Sequence, residues 1–220
     1  MLVPDGISAE DACYLPAVET ALALVQDSQP IVGENIAVYG QGMIGLLVTA
    51  ILSVTFGPEK VFAVEMNPER AEVSRKMGAG TVIHPRALHK GNRVLTDIDV
   101  SIEVSGNAKA LQAAIDNTAN SGRLILGSWY GSKAAELTLG LDFHRSALSI
   151  KCSQVSKIPA ALSGRWNKRR RFGETWEWVR RLRPSQHLSA TILPLPSAQR
   201  GYERLDKAET LGVQFAYENN

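Results

Sequence analysis

Residues 36 to 65 read IAVYGQGMIGLLVTAILSVTFGPEKVFAVE, and this stretch decides the fold. A short apolar run ends in glycine, a long apolar run follows, and a third run rich in Val and Phe ends in an acid. The run lengths predict a strand, a helix and a second strand. Because the alternation continues in weaker form to about residue 130, the sequence predicts an α/β fold with a doubly wound parallel sheet.

A glycine motif with GxGxxG spacing lies between the first strand and the helix. The first glycine allows a tight turn, the second lets the backbone approach a pyrophosphate, and the third lets the helix pack closely on the strand. A diphosphate would bind the free backbone amides at the positive end of the helix dipole. The predicted cofactor-binding residues of this loop are Gly40, Gln41, Gly42, Met43, Ile44 and Gly45.

The acid that closes the second strand, Glu65, follows Gly45 by twenty residues. A carboxylate at this position can accept hydrogen bonds from the hydroxyls of the adenosine ribose. Because a 2′-phosphate would meet like charge there, the sequence favours NAD over NADP. Arg70, one helical turn later, either contacts the adenosine half of the cofactor or is a solvated residue paired with Glu69 or Glu72.

Later strands also end in glycine, at Gly106 and Gly127. Ligands of open α/β sheets bind at the carboxyl edge, so both are secondary candidates for the cofactor site, although each can equally serve only to turn the chain. After about residue 135 the strand and helix rhythm changes. We therefore predict a helical lead-in over residues 1–34, a dinucleotide-binding domain over 35–155, and an extension of helices and short strands over 156–220.

Four stretches between residues 4 and 129 together resemble the medium-chain dehydrogenase/reductase superfamily: PDGISAEDACYLPAVETALAL, GENIAVYGQGMIGLL, VFAVEMNPERAEVSRKMGAGTVI and IEVSGNAKALQAAIDNTANSGRLILGSW. This superfamily contains alcohol, sorbitol and threonine dehydrogenases. The resemblance implies hydride transfer between nicotinamide and an alcohol or carbonyl, with Thr20 near the nicotinamide. It also implies a homodimer, because the family strand that corresponds to LSIKCSQ pairs with its twin.

The family's N-terminal GroES-like domain, with its first zinc ligands and proton relay, has no counterpart in these 220 residues. A further family zinc ligand lies four residues before Thr20, where this chain has Pro16, which cannot ligate. Cys13 and Glu19 are close but in the wrong register, so catalytic zinc is not expected. Two alternatives to an active dehydrogenase therefore stay open: a non-catalytic NAD-binding module, and a truncated fragment whose partner supplies the catalytic domain.

No other arrangement of catalytic or metal-binding residues is found. The histidines have no metal-ligand spacing, and His144 is the first choice for a general base only because imidazole titrates near neutrality. Two cysteines, Cys13 and Cys152, are too few for a disulfide framework, which favours a reducing compartment and a cytoplasmic protein. The longest apolar run is too short and too interrupted for a membrane span.

Charge is distributed unevenly along a chain whose net charge is only +2. Residues 151–184 hold ten Lys or Arg and two Glu, and within them the 165–183 stretch also holds three Trp. This composition suits a nucleic-acid surface, because Arg pairs with phosphates and Trp stacks on bases. We favour the alternative, an amphipathic helix with buried Trp and solvated Arg, since a dinucleotide domain already accounts for the chain.

Overall fold

The computed structural model describes residues 2–88 and 94–217. Its helices are α1 (Ala9–Ala12), α2 (Leu15–Ser28), α3 (Met43–Phe56), α4 (Pro68–Lys76), α5 (Ala108–Asn117), α6 (Lys168–Leu182) and α7 (Ala198–Asp206). Its strands are β1 (Asn35–Tyr39), β2 (Val61–Val64), β3 (Thr81–Ile83), β4 (Ile98–Glu103), β5 (Thr118–Leu126), β6 (Ser149–Cys152), β7 (Ala190–Pro194) and β8 (Gly212–Ala216). None of the helices in these two ranges has both the length and the apolar character needed to cross a membrane.

Strands β1 to β6 form one parallel sheet in the order β3-β2-β1-β4-β5-β6. The predicted doubly wound α/β fold is confirmed. Strands β7 and β8 form a separate parallel pair within the C-terminal extension. The direction of strand succession reverses between β1 and β4, and the crevice above such a reversal is where open α/β sheets bind ligands.

The central strand β1 is buried on both faces. Ile36 and Val38 pack in one apolar cluster with residues of α2, α3 and α6, whereas Ala37 and Tyr39 pack in a second cluster with residues of α5. Alternate residues of a strand point to opposite faces, so helices on both sides produce this uninterrupted apolar sequence. The sheet is thereby fixed as a rigid platform for the loops at its carboxyl edge.

Two groups of polar contacts anchor the end of α2, and the segment that leads from it to β1, to the sheet. Arg123 of β5 donates to both carboxylate oxygens of Glu34, at 2.8 and 2.6 Å. The buried carboxylate of Asp27 accepts from Lys151 at 3.1 Å and from the Ser153 hydroxyl at 2.6 Å. Consequently α2 is held against β5 and β6 by charge as well as by apolar packing.

Helix α5 is shorter than the Ala-rich composition of its stretch predicts. The stretch 107–122 has the composition of one Ala-rich helix, but the helix ends at Asn117 and β5 begins at Thr118. The Thr118 hydroxyl lies 2.7 Å from that of Ser101 on β4 and donates to the carbonyl of Ala114. The contact with Ser101 brings the chain into the sheet before the helical composition ends.

The Trp- and Arg-rich stretch forms α6 and packs against α2. Trp176 and Trp178 are 7% and 9% exposed and belong to the same apolar cluster as α2 and α3. Arg170 stacks over Trp166, with its guanidinium carbon 4.3 Å from the ring centroid. Two of the three Trp side chains are therefore buried, as expected of an amphipathic helix. The expectation of solvated Arg is wrong for Arg171, which is 1% exposed and pairs with Glu19 of α2.

Candidate functional site

The first and third glycines of the glycine motif are required by close backbone contacts. Gly40 has φ of +94°, and a Cβ there would lie 2.7 Å from the Cα of Ser105. A Cβ on Gly45 would lie 1.9 Å from the carbonyl oxygen of Gly40. Gly42 differs, because its φ is −73° and nothing lies within 4 Å of its Cβ position. The fold thus explains Gly40 and Gly45 and leaves open space beside Gly42.

Helix α3 begins at this open space with unsatisfied donors. Gly42 precedes its first residue and provides no side-chain cap. Among the described residues, no acceptor is found for the backbone amides of Met43, Ile44 and Gly45. These amides carry the positive end of the helix dipole, and the first turn contains no acid that would occupy it. The geometry fits a diphosphate, as the sequence predicts.

Gln41 is engaged in contacts within the protein. Its side chain is fully buried, and its amide oxygen accepts from Thr49 on α3 at 3.0 Å and from Ser74 on α4 at 3.1 Å. Its backbone amide donates to Glu65 at 2.8 Å. Gln41 therefore holds the loop in place, and its amide is not free for a phosphate in the way that those of Met43 and Ile44 are.

Glu65 lies directly behind the glycine loop. One carboxylate oxygen accepts from the amide of Gln41, and the other accepts from the amides of Met66 and Asn67, all at 2.8 Å. The side chain is 8% exposed. An ionised carboxylate has about four acceptor positions, so three amides leave one position for a ribose hydroxyl. Glu65 thus orders the loop as well as offering the acceptor that the sequence predicts.

Arg70 projects from the first turn of α4 without an ion-pair partner among residues 2–88 and 94–217. Glu72, one of the two acids that the sequence offers it, pairs with Arg75 at 3.1 Å. The side chain of Asn67 caps the helix by accepting from the amide of Arg70 at 3.0 Å. The guanidinium is consequently available to a ligand at the end of β2.

The two secondary glycines differ in their surroundings. Gly106 has φ of +68°, open space at its Cβ position, and an amide that donates to the Ser128 hydroxyl at 2.7 Å. A Cβ on Gly127 would lie 2.6 Å from Leu24 of α2, so packing alone accounts for that glycine. The structure therefore joins Gly106 to the carboxyl edge of the sheet and gives Gly127 a structural role.

Thr20 is half-buried on α2, and its hydroxyl donates to the carbonyl of Pro16 at 3.0 Å.

A buried acid at the end of β4 was not recognised from the sequence. Glu103 is fully buried, accepts from the amide and hydroxyl of Ser105 at 2.7 and 2.5 Å, and accepts from the Tyr130 hydroxyl at 2.8 Å. Burial raises the pKa of Tyr130, and the hydrogen bond to Glu103 raises it further. The signal available in the sequence is an acid that ends an apolar strand, as Glu65 does. This network fixes the loops beside Gly106.

The part of the chain that the structure describes contains no group of three or more His, Cys, Asp or Glu side chains that could hold a metal ion. Pro16 lies in the first turn of α2, where it supplies no donor side chain. Cys13 and Cys152 are both exposed free thiols. The side chains of residues 2–88 and 94–217 therefore provide no donor set that fits a catalytic zinc.

A family model described as zinc-binding dehydrogenase matches residues 44–168. The chain belongs to the zinc-binding dehydrogenase family. The resemblance to medium-chain dehydrogenases is confirmed, and the match corresponds to the cofactor-binding half of such proteins.

Individual relatives agree with this assignment. D-guloside 3-dehydrogenase of Escherichia coli K12 is 30% identical over 181 residues, which are 80% of this chain and 51% of the relative. (R,R)-butanediol dehydrogenase of Bacillus subtilis 168 is 31% identical over 173 residues, covering 73% of this chain and 47% of the relative. The chain thus spans about half the length of the curated relatives it matches.

The fold also matches solved structures. The structure of the short chain alcohol dehydrogenase of Escherichia coli CFT073, complexed with the cofactor NADH, superimposes with a TM-score of 0.80 at 16% identity. The match covers 100% of this chain and 62% of that chain. At this identity the similarity establishes a shared fold.

Proposed function

We propose that this chain binds NAD(H) at the carboxyl edge of its parallel sheet. The observation that carries the proposal is the set of three unpartnered amides at the start of α3, beside the open face of Gly42. A pyrophosphate there would accept hydrogen bonds from Met43, Ile44 and Gly45 and meet the positive end of the helix dipole. The NADH complex of the structurally similar Escherichia coli dehydrogenase supports this choice of ligand.

The proposal specifies NAD in preference to NADP. The remaining acceptor position of Glu65 suits a ribose hydroxyl, whereas a 2′-phosphate would meet the negative carboxylate. Arg70 opposes this preference, because its guanidinium, which has no ion-pair partner among the described residues, offers a phosphate a partner. We expect Glu65 to dominate, since it is buried behind the loop and Arg70 is only half-buried.

The proposed activity is that of an NAD-dependent oxidoreductase acting on an alcohol or carbonyl. The curated relatives are dehydrogenases of a guloside and of butanediol. The nicotinamide supplies the hydride chemistry when bound, and this chain binds and orients the cofactor.

A second candidate is an NAD-binding module, or a fragment, that needs a partner with the catalytic domain. Pro16 and the lack of zinc donors in the described residues favour it.

Three further features belong to the proposal. Strand β6 pairs with β5 on one side, all four of its residues are exposed, and its free edge in the described structure suits pairing with a second copy in a homodimer. The free thiols Cys13 and Cys152 support a reducing, cytoplasmic location. We also retain the division into residues 1–34, 35–155 and 156–220.

Calorimetric titration of the chain with NADH and with NADPH tests cofactor binding and selectivity. We expect NADH to bind at least tenfold more tightly, and the substitution Arg70→Gln to weaken NADPH more than NADH. Binding of neither cofactor, or tighter binding of NADPH, would contradict the proposal. A hydride-transfer assay with a panel of alcohols and aldehydes then separates an active oxidoreductase from a binding module, because the module binds NADH without oxidising or reducing any substrate.

A further inference from the structure

A cavity lies away from the glycine loop, between α2, the segment after β6, and the first half of α6. Its volume is about 670 Å³, and its walls are mainly apolar. Phe172 and Trp176 provide aromatic surface, with their rings 6.2 Å apart and perpendicular. This volume suits a small organic ligand. None of the lining residues belongs to the glycine loop or to β2.

Gly173 lines the cavity from the interior of α6. Nothing lies within 4 Å of its Cβ position, and its φ is not positive. Glycine inside a helix is unfavourable relative to alanine, so a packed helix retains it where something approaches the backbone closely. On α7 such a close approach is observed, because a Cβ on Gly201 would lie 3.0 Å from a side-chain atom of Val213. Gly173, unlike the buried Gly201, is exposed, and nothing in the described structure fills the space beside it.

Trp176 contributes its ring to the cavity wall and carries an unsatisfied donor behind that wall. Its side chain is 7% exposed, and no acceptor for its indole Nε1–H is found among the described residues. Buried polar groups normally have a partner, because leaving one unpaired is unfavourable. The Nε1 atom has almost no accessible surface, so a ligand in the cavity would contact the ring of Trp176 and not this donor.

The charges around the cavity favour an anion. Lys168 and Arg169 line it from the first turn of α6, and neither forms an ion pair within residues 2–88 and 94–217. Cations at a helix N-terminus repel the positive end of its dipole, so this placement is unfavourable unless negative charge is nearby. The one acid in the wall, Glu19, is already paired with the buried Arg171 at 3.4 Å.

We propose that the α2–α6 cavity binds a small amphipathic organic anion. Its aromatic or other planar apolar body would pack against Phe172 and Trp176 and pass over Gly173. Its carboxylate, sulfonate or phosphate group would pair with Lys168 and Arg169. This inference is independent of the proposed cofactor site, because it uses none of the residues that would hold NAD(H).

Two fluorescent probes with the same aromatic body test the proposal. 1-Anilinonaphthalene-8-sulfonate carries the anionic group, and N-phenyl-1-naphthylamine lacks it. We expect saturable binding of one sulfonate probe per chain, at least fivefold tighter than the neutral probe. The double substitution Lys168→Gln/Arg169→Gln should remove that difference. The matched control Arg200→Gln/Lys207→Gln, on an exposed residue of α7 and the exposed residue that follows the helix, should leave it unchanged.

Filling the cavity provides the second arm of the test. Gly173→Phe places a ring in the open space and should weaken both probes at least tenfold, whereas Gly173→Ala should retain both. Saturating NADH should not displace either probe, which keeps this result separate from cofactor binding. Equal affinities in Gly173→Phe and Gly173→Ala, displacement by NADH, or no preference for the sulfonate in the unsubstituted protein would each overturn the proposal.

Discussion

The first turns of α3 and α6 differ in how they could attract a negative ligand. Helix α3 begins after Gly42 with free backbone amides and no charged residue. Helix α6 begins with the side chain of Asn167 accepting from an amide, followed by four consecutive cations. Recognition at α3 would therefore be made by the backbone, whereas recognition at α6 would be made by side chains. The same dipole can serve either arrangement.

Glycines differ between the two regions in the same way. The space at the Cβ position of Gly45 in α3 is occupied by the carbonyl of Gly40 in the loop. The Cβ position of Gly173 in α6 faces open space. The first glycine is thus explained by the fold, and the second is explained by a ligand in our proposal. Substitutions at these and neighbouring positions can break or sharpen the contrast.

The largest expected effect follows from Gly45→Ala. Its methyl group would overlap the carbonyl of Gly40, so the loop and α3 must separate. We expect the free energy of unfolding to fall by about 3 kcal/mol, as in other overpacked interiors. Urea denaturation followed by circular dichroism measures this change. A fall below about 1 kcal/mol would show that the loop yields easily and that Gly45 is not required by packing.

Glu65→Ala should have the next largest effect. The substitution removes the acceptor of three amides that lie around the glycine loop. We expect a loss of about 2 kcal/mol in the free energy of unfolding, because buried donors would be left unpaired. Glu69→Ala, which removes an exposed acid of α4, is the matched control and should change stability by less than about 0.5 kcal/mol. Similar losses in both variants would refute the role of Glu65 in ordering the loop.

Glu34→Gln tests how the segment between α2 and β1 is held to Arg123 of the sheet. Burial alone would raise the pKa of Glu34, but hydrogen bonds from Arg123 and from the amide of Ile31 hold it below 4.5. A lowered pKa in the folded state stabilises the protein above the unfolded-state pKa, and this contribution is lost as the pH falls through the folded-state pKa.

We therefore expect Glu34→Gln to lower the free energy of unfolding by about 1 to 2 kcal/mol at pH 7. The difference from the unsubstituted protein should shrink as denaturation is repeated at pH values below 4.5. Glu72→Gln, in an exposed pair with Arg75, is the control and should have little effect at any pH. A difference for Glu34→Gln that does not depend on pH would contradict the assignment.

Gly173→Ala should have the smallest effect and the opposite sign. Alanine suits a helix interior better than glycine, and no atom opposes its methyl group, so we expect a gain of about 0.5 to 1 kcal/mol. Gly201→Ala, in the packed interior of α7, should give no comparable gain. Urea denaturation of both variants measures the contrast. Destabilisation by Gly173→Ala would show that the space beside α6 is not open.

The two regions also differ in what the sequence reveals. The glycine loop and Glu65 are predictable because they form one contiguous unit, in which a strand, a glycine motif, a helix and an acid follow in a fixed order. The α2–α6 cavity is lined by Glu19, Val155 and Trp176, which are far apart along the chain. Their proximity depends on how α6 packs on α2, and no local pattern specifies that packing.

Across the candidate site, the sequence predicts where a residue lies better than it predicts what that residue does. Gln41 lies inside the motif, yet its buried contacts with Thr49 and Ser74 depend on the packing of α3 and α4. Gly127 ends a strand as Gly106 does, but only the fold reveals that Leu24 occupies the space beside it. Glu103 ends an apolar strand as Glu65 does, but its contact with Tyr130, 27 residues later in the chain, is visible only in the fold.

The most direct test of the central claim is a calorimetric titration of NADH into Gly42→Val and Gly164→Val. Both glycines have open space at the Cβ position and neither has a positive φ, so both variants should fold. We predict that Gly42→Val binds NADH at least tenfold more weakly than the unsubstituted protein and that Gly164→Val binds it equally well, because only Gly42 adjoins the free amides of α3. Unchanged NADH affinity in Gly42→Val would contradict the assignment of this loop as the cofactor site.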